Sequence, residues 1–346
     1  MQDPEAAGKR PPTRRSIVRW AIGLLVTAVG LYVVWPALLS VFSAAPRLRD
    51  LSPLWFVVMA GGEAASFAGY WVLLKLAITC RGWGIIITAQ VAGNAFSRIV
   101  PGGLASGGAL SLGMFTGAGV SGGRAATGLA GAQLISTATL VALPLLSLPA
   151  IIAGLPVARE LEAVALIGAG IFALTAIAGV ALFALDRPLL LAGRLCEGVQ
   201  RRLRRPPKRG FPERLLEERD EIRDALGRRW WIAVPAAAGN WLLDFLVLWA
   251  ALEATGSAPH ASLALLAYVV ASVLGMIPVT PGGLGFVEAG LTGTLVLAGV
   301  PAEQAVLATL AYRVVAYWIH LPLGLLAYWV YEWRYRGKRL GRAGDG

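Results

Sequence analysis

The sequence predicts an all-α polytopic membrane protein with six full spans and two re-entrant helical hairpins arranged as inverted repeats. Three observations predict it. Hydrophobic residues make up 57% of the 346 positions and charged residues only 15%, with mean hydropathy +0.66; soluble domains carry about 25% charged residues. Two apolar regions are interrupted by the same tetrapeptide, Pro101-Gly102-Gly103-Leu104 and Pro281-Gly282-Gly283-Leu284. Finally, Lys and Arg gather in segments that one topology places on a single side of the membrane.

Residues 1–15 read as a cytoplasmic tail, followed by a first span over 16–42. Arg14, Arg15 and Arg19 precede an apolar run from Trp20 to Phe42, and Ser43-Ala44-Ala45 follows it. That pattern imitates a secretion signal, but the run exceeds the roughly 7–15 residues of a signal core, so it reads as a retained span. Further spans are expected over 53–79, 125–152, 162–185, 231–252 and 303–331. The region 84–118 is broken at Pro101-Gly102-Gly103, and 262–299 at Pro278 and Pro281-Gly282-Gly283. Neither Pro nor Gly suits a lipid-facing helix interior. Irregular backbone at membrane depth is tolerated only when packed in protein or lining a wet cavity, so each broken region reads as a hairpin of two half-helices.

The connector 186–229 is rich in Arg and holds Pro206-Pro207; Leu215, Leu216, Ile222 and Leu226 then recur at helical spacing. It predicts a short helix on the cytoplasmic membrane surface and is too short for a catalytic domain. The membrane domain as a whole spans 16–335, and 336–346 forms a second cytoplasmic tail.

Nearly all of the 31 Lys and Arg fall in the N-terminal tail, at Arg81, Arg98 and Arg124, in the connector, or after Trp333. The opposite side receives only Arg47, Arg49 and Arg159, while Lys75 and Arg313 lie within spans. This bias puts both termini in the cytoplasm, as expected of a multi-pass protein of a bacterial-type inner membrane, and favours anionic lipid surfaces. Nucleic acid is not an expected partner, because no basic domain with interleaved aromatics stands apart from the spans. Cys80 and Cys196 both map to the cytoplasmic side and suit a reducing compartment. With only His260 and His320, and no Cys/His spacing of a zinc site, no metal and no cofactor is expected.

A displacement of 180 residues lays the first break on the second. The same ungapped offset matches Ala109 with Ala289, Gly113 with Gly293, Ala118-Gly119-Val120 with Ala298-Gly299-Val300, and Ala125 with Ala305. The chain therefore contains a duplicated unit, about 53–152 and about 231–331. With the N-terminus inside, span 53–79 runs inward and 231–252 outward, so the copies are inverted. Transporters recur on this plan, with the substrate site between the repeats near the midplane; a duplicated structural bundle is the alternative.

Ionisable groups within spans are costly and mark functional candidates. Glu63 and Asp244 fall mid-span at nearly equivalent positions of the two copies, and Asn240 shares a helix face with Asp244. They are candidates for charge or proton coupling; mutual pairing of Glu63, Asp244 and Arg313 is the structural alternative. Tyr317 and His320 follow Arg313 at helical spacing, His320 reading as a packing residue. Glu288 stands just after the second break, where it suits the helix dipole; its counterpart in the first copy is Gly108. Each break starts a half-helix whose free N–H groups attract phosphate, and Arg98 or Arg313 adds charge-assisted hydrogen bonds. Arg98 and Arg124 read equally as interfacial anchors. The candidate substrate-binding set is thus Arg98, Pro101, Gly102, Gly103, Pro281, Gly282, Gly283, Gly285, Glu288 and Arg313. The Gly-rich run 102–123 lacks the Gly-Lys-Ser/Thr ending of a P-loop and follows no strand. No Ser/His/Asp set or catalytic carboxylate pair is seen, and no enzymatic activity is expected.

The stretch Pro281-Gly-Gly-Leu-Gly-Phe-Val-Glu288-Ala-Gly, then Gly299-Val300 and Tyr312-Arg313, resembles the lysylphosphatidylglycerol synthase transmembrane region, also called the flippase-like integral membrane family. The resemblance covers about residues 16–335. On it, Pro281, Gly282, Gly283, Gly285, Glu288 and Arg313 match the family motif, whereas Gly107-Gly108-Ala109 in the first half is uncharged where the family often carries charge. The resemblance implies lipid translocation, flippase- or scramblase-like, through a cavity between two inverted hairpins. Its expected partners are a membrane phospholipid or lipid-linked substrate, and a second copy or a separate lipid-modifying enzyme. It extends to the membrane part alone, so synthase activity is not implied. Carriage of a small anionic solute and intramembrane lipid modification stand as alternatives.

Overall fold

The computed structural model describes residues 46–80, 82–100, 103–147, 229–276 and 280–342, with isolated positions between 149 and 220. The expected span 16–42, nearly all of 162–185 and of the connector, and Pro101, Gly102 and Pro278 lie outside the described residues. Among the described residues every regular element is helical.

Helix α1 (Pro53–Ile78) opens on a proline, whose missing N–H is no loss in a first turn, and ends at Thr79 in a left-handed conformation. Helices α2 (Trp83–Ile99) and α3 (Gly103–Gly117) follow, then α4 (Gly122–Ala142), which tightens into a 3₁₀ turn at Leu143–Ser147. The second half comprises α5 (Trp230–Ala254), α6 (Ala261–Met276), a 3₁₀ turn at Pro281–Gly283 and α7 (Phe286–Leu297). It closes with α8 (Ala302–Arg313), a π-helical turn at Val314–Trp318 and α9 (His320–Arg342). Among the described residues four stretches are long and apolar enough to cross a membrane: Pro53–Ile78, Gly122–Ser147, Trp230–Ala254 and Ala302–Tyr335. By contrast α2, α3, α6 and α7 hold 17, 15, 16 and 12 residues. At ~1.5 Å per residue they reach only about 18–26 Å, short of the ~30 Å hydrocarbon layer.

Those short helices fold back as two antiparallel pairs. Ser111 Oγ of α3 donates to the Ala89 carbonyl of α2 at 2.9 Å, and Gly93 faces Gly107 with no side chain between them. In the second pair Leu274 meets Gly290, and Gly275 meets Val287 and Gly283.

Local structure recurs at the 180-residue offset. The N–H groups of Ala118, Gly119 and Val120 bond the carbonyls of Met114, Thr116 and Phe115; those of Ala298, Gly299 and Val300 bond Thr294, Val296 and Leu295. Both are Schellman closures on a glycine, with φ +97° at Gly119 and +93° at Gly299. Packing partners recur too: α2 lies along α9, while α6 lies against the 3₁₀ turn that ends α4.

The centre of the molecule is the crossing of α1 and α5. Gly69 permits it, since a Cβ there would sit 2.8 Å from the Ala236 carbonyl and 3.1 Å from Asn240 N. One turn and more earlier, Gly62 faces Val247 and Leu243. Contacts fall along α5 as they rise along α1, so these two equivalent helices run antiparallel. Small residues at such crossings let backbones approach where lipid supplies no hydrophobic drive.

Two apolar clusters form at opposite ends of that crossing. One joins Met59 to Val247, Leu248, Ala251 and Leu252; the other joins Leu73, Leu74 and Ile78 to Ala233 and Ala237. Between them Glu63, Ser66, Asn240 and Asp244 form a polar layer halfway along both helices.

The span expected over 303–331 lies within the continuous apolar stretch Ala302–Tyr335, which carries one π-helical turn. Ile319 N bonds Val314 O, an i→i−5 bond that widens one turn. Pro322, four residues after Trp318, has no N–H to offer the Trp318 carbonyl, and Arg98 of α2 donates to the Ala316 carbonyl inside the widened turn. Such π turns commonly accompany functional sites.

Candidate functional site

A cavity of ≈ 490 Å³ opens between the two helix pairs, with walls from both halves of the chain. Helices α2 and α3 supply Gln90, Asn94, Arg98 and Gly108; α6 and α7 supply Ala271, Gly275, Met276, Val287 and Leu291; Tyr312, Arg313 and Tyr317 close one end.

Arg98 belongs to this wall. Besides its bond to Ala316, its own carbonyl accepts a hydrogen bond from Tyr317 Oη at 2.9 Å. The Tyr317 ring lies beneath both guanidinium groups, 5.3 Å from Arg98 and 4.3 Å from Arg313, within cation–π range. Among the described residues no carboxylate lies within ion-pair distance of Arg98, although Glu63 attracts it from farther off. Arg124, by contrast, is exposed and lies outside the cavity lining.

The second break is organised differently. Gly282, at φ +59°, sits in the middle of the 3₁₀ turn against the Tyr317 ring, which leaves no room for a Cβ. Arg313 Nε donates to Glu288 Oε1 at 2.7 Å, and Arg313 Nη2 reaches the Gly282 carbonyl at 3.4 Å. Gly285 N donates to Glu288 Oε2 at 2.7 Å. Glu288 therefore caps its own helix and neutralises Arg313 together. The N-terminus expected to hold an external anion is already filled by the chain's own carboxylate. At the first break the equivalent position is Gly108, and the start of α3 from Gly103 faces the cavity without an acid. Pro281 takes part in the 3₁₀ turn and Gly283 closes it, donating to the Thr280 carbonyl at 3.1 Å.

The polar layer behind the cavity keeps Glu63 beside Asp244, while Arg313 pairs with Glu288 instead. Asp244 accepts hydrogen bonds from Tyr268 Oη at 2.7 Å and from Tyr312 Oη at 3.1 Å. Glu63 Oε1 lies 3.4 Å from His320 Nε2, and that imidazole stacks on Phe67 at 4.5 Å. Glu63 Oε2 and His320 Nδ1 are buried without partners among the described residues, and the Glu63 and Asp244 carboxyls interact across the two helices. Asn240 fastens one helix to the other. Its Nδ2 donates to Ser66 O at 3.1 Å and Ser66 Oγ at 2.8 Å, and Ser66 Oγ donates back to Asn240 O at 2.8 Å.

Three residues of this site are not legible in the sequence. Tyr268 reaches Asp244 from another helix, and no spacing reveals that. Gln90 and Asn94 are uncharged, although with Arg98 they recur every fourth residue along α2. His320 is legible as a residue following Arg313, but its partner Glu63 lies in the other half of the chain.

The family described as Lysylphosphatidylglycerol synthase TM region matches residues 20–324. A UPF0104 membrane protein of Methanothermobacter thermautotrophicus is 32% identical over 89 residues, 26% of this chain and 25% of that protein. A second UPF0104 membrane protein of the same organism is 29% identical over 87 residues, 25% of this chain and 26% of that protein. The chain thus spans about a quarter of the length of these curated relatives. No solved structure matches it. The match along most of the sequence, through both helix pairs and the Glu288–Arg313 contact, makes this chain a member of the lysylphosphatidylglycerol synthase TM region family.

Proposed function

We propose that this protein carries a lipid with a polar or anionic headgroup across the bilayer, as a flippase or scramblase and without covalent chemistry. The observation that carries the reading is Arg98, a guanidinium without a carboxylate partner among the described residues, facing a cavity between two helix pairs too short to cross the membrane. A headgroup cannot enter hydrocarbon without a compensating polar path, and this cavity supplies one. Its other wall, from Ala271 to Leu291, is mostly apolar, with Ser272 and Thr280 as its hydroxyls.

The two pairs act as re-entrant hairpins in inverted repeats. The antiparallel crossing of α1 and α5, the recurring closures at Gly119 and Gly299, and the exchanged packing of α2 and α6 all support that arrangement. The bias of Lys and Arg supports a cytoplasmic location for both termini in the inner membrane. Glu63 and Asp244, in the polar layer behind the cavity, set the charge preference of the path or exchange protons during the cycle. A second copy or a lipid-modifying enzyme is the expected protein partner. The family membership supports a lipid-related role; carriage of a small anionic solute is the alternative, and lipid movement separates the two.

The test reconstitutes the protein into vesicles bearing headgroup-labelled fluorescent lipids on both leaflets and adds an impermeant quencher. Loss of more than the outer-leaflet half of the signal, above empty vesicles, is expected. Protected inner-leaflet signal across several headgroups, with and without a pH gradient, would overturn the reading.

A further inference from the structure

Resting on the lipid-carriage reading, we propose that the preferred headgroup is a phosphodiester bearing an uncharged, hydroxyl-rich substituent, a polyol or sugar. Its phosphate sits at Arg98, and its hydroxyls lie along Asn94 and Gln90.

The three side chains recur at every fourth position of α2 and all line the cavity. Such residues stack one above another along one helix face, about 6 Å apart, so the ladder extends about 12 Å. At its lower rung stand Arg98 and the neighbouring start of α3, whose first N–H groups have no partner within the helix. No acid follows Gly103 there, in contrast to the second break, where Glu288 occupies the equivalent place. One open cation with a helix N-terminus suits a singly charged phosphodiester; Arg313, already neutralised by Glu288, adds no second free charge.

The upper rungs identify the substituent. Asn94 Oδ1 is buried without a partner among the described residues. Whichever way it is turned, this amide offers both an acceptor and donors, and a phosphate oxygen can satisfy only the donors. Gln90 Oε1 accepts from Trp71 Nε1 at 2.9 Å, which fixes the amide and leaves its NH₂ to donate. Acceptor and donor side by side match hydroxyl groups, which do both. An ammonium headgroup would satisfy Asn94 but would also need a negative partner. Glu63, Asp244 and Glu288 are all absent from the cavity wall, and each faces another partner. The positions 180 residues onward from the ladder are Val270, Leu274 and Pro278, so the polar rail belongs to α2 alone.

The test incubates the purified full chain with phosphatidylinositol, phosphatidylglycerol, phosphatidic acid, phosphatidylethanolamine and phosphatidylcholine of identical acyl chains, and reads retained lipid by native mass spectrometry. Phosphatidylinositol and phosphatidylglycerol should be retained about tenfold over the two amine lipids, the worth of one or two hydrogen bonds. Asn94→Ala should erase the preference for phosphatidylinositol over phosphatidic acid, while Arg98→Ala should weaken both. Should Asn94→Ala fail to fold, Gln90→Leu reads the same ratio. Equal retention of phosphatidylethanolamine, or an unchanged ratio in the folded variants, would overturn the proposal. Soluble glycerophosphoinositol that competes as strongly as the lipid would confirm the headgroup site and assign it to a free solute; weaker competition confirms it for the lipid. Selective retention without transbilayer movement would fault the carriage reading alone, and movement without selectivity would fault this inference alone.

Discussion

Arg313 and Glu288 hold the second break together: Nε donates to Oε1 at 2.7 Å while the other carboxylate oxygen caps Gly285. The Arg313 side chain is 9% exposed. Removing one partner strands the other charge, at a cost of about 3 kcal/mol. Arg313→Met and Glu288→Leu are each expected to lower the melting temperature in detergent clearly, and the double variant to recover much of the loss. A double variant less stable than either single one would contradict a pairing role.

Two glycines of the same turn separate backbone strain from crowding. Gly282 has φ +59° and no room for a Cβ beside Tyr317, whereas Gly285 has φ +83° and open space. Gly285 combines φ +83° with ψ −47°, a sparsely populated region that costs an L-residue about 1–3 kcal/mol. Gly285→Ala should lose about that much. Gly282→Ala should lose more and, by displacing Tyr317, slow lipid movement as well. Equal melting shifts for the two would show that the Tyr317 contact adds nothing.

Tyr317→Phe keeps the ring under both guanidinium groups but removes the bond from its hydroxyl to the Arg98 carbonyl. A neutral hydrogen bond contributes about 1 kcal/mol. Stability should fall by that amount, and lipid retention should weaken far less than in Arg98→Ala, which a side-by-side binding titration would read.

The inverted arrangement places the turn after α3 and the turn after α5 on opposite faces. In a chain with Cys80 and Cys196 replaced by Ala, Ser121→Cys should react with an impermeant thiol reagent only from the cytoplasmic side. Ala258→Cys should react from outside; both positions are exposed. Labelling of both from one side would refute the inversion.

Much of the fold is legible because membrane burial writes itself in composition. Spans 53–79, 125–152 and 231–252 fall close to α1, α4 with its 3₁₀ turn, and α5, and both breaks stand where Pro-Gly-Gly stands. The Gly119 and Gly299 closures follow from glycine's unique tolerance of positive φ. Pro322 marks a disturbance of the helix at Trp318, but the contact from Arg98 inside the π turn is not legible. The site divides likewise. Glu288 and Arg313 announce themselves by charge and position, but Glu63 with His320, and Asp244 with Tyr268, are brought together only by helix crossing. Asn240, which its spacing from Asp244 assigns to a coupling group, lines the cavity and also fastens α5 to Ser66, a contact no spacing reveals. Gln90 and Asn94 stay hidden because uncharged amides in an apolar helix attract no notice until a cavity opens beside them.

The central claim is that lipid passes through the cavity between the hairpins, and Gly108 offers the most direct test. It lines the cavity, and a Cβ there meets nothing within 4 Å, so a side chain at this position starts in open space. Gly113, on the same helix, is equally free of neighbours but lies outside the cavity wall. Measured as transbilayer movement of headgroup-labelled lipid in vesicles, Gly108→Trp should fall to the rate of empty vesicles while Gly113→Trp keeps the rate of the unaltered protein. A folded Gly108→Trp protein that moves lipid at the unaltered rate would contradict the account.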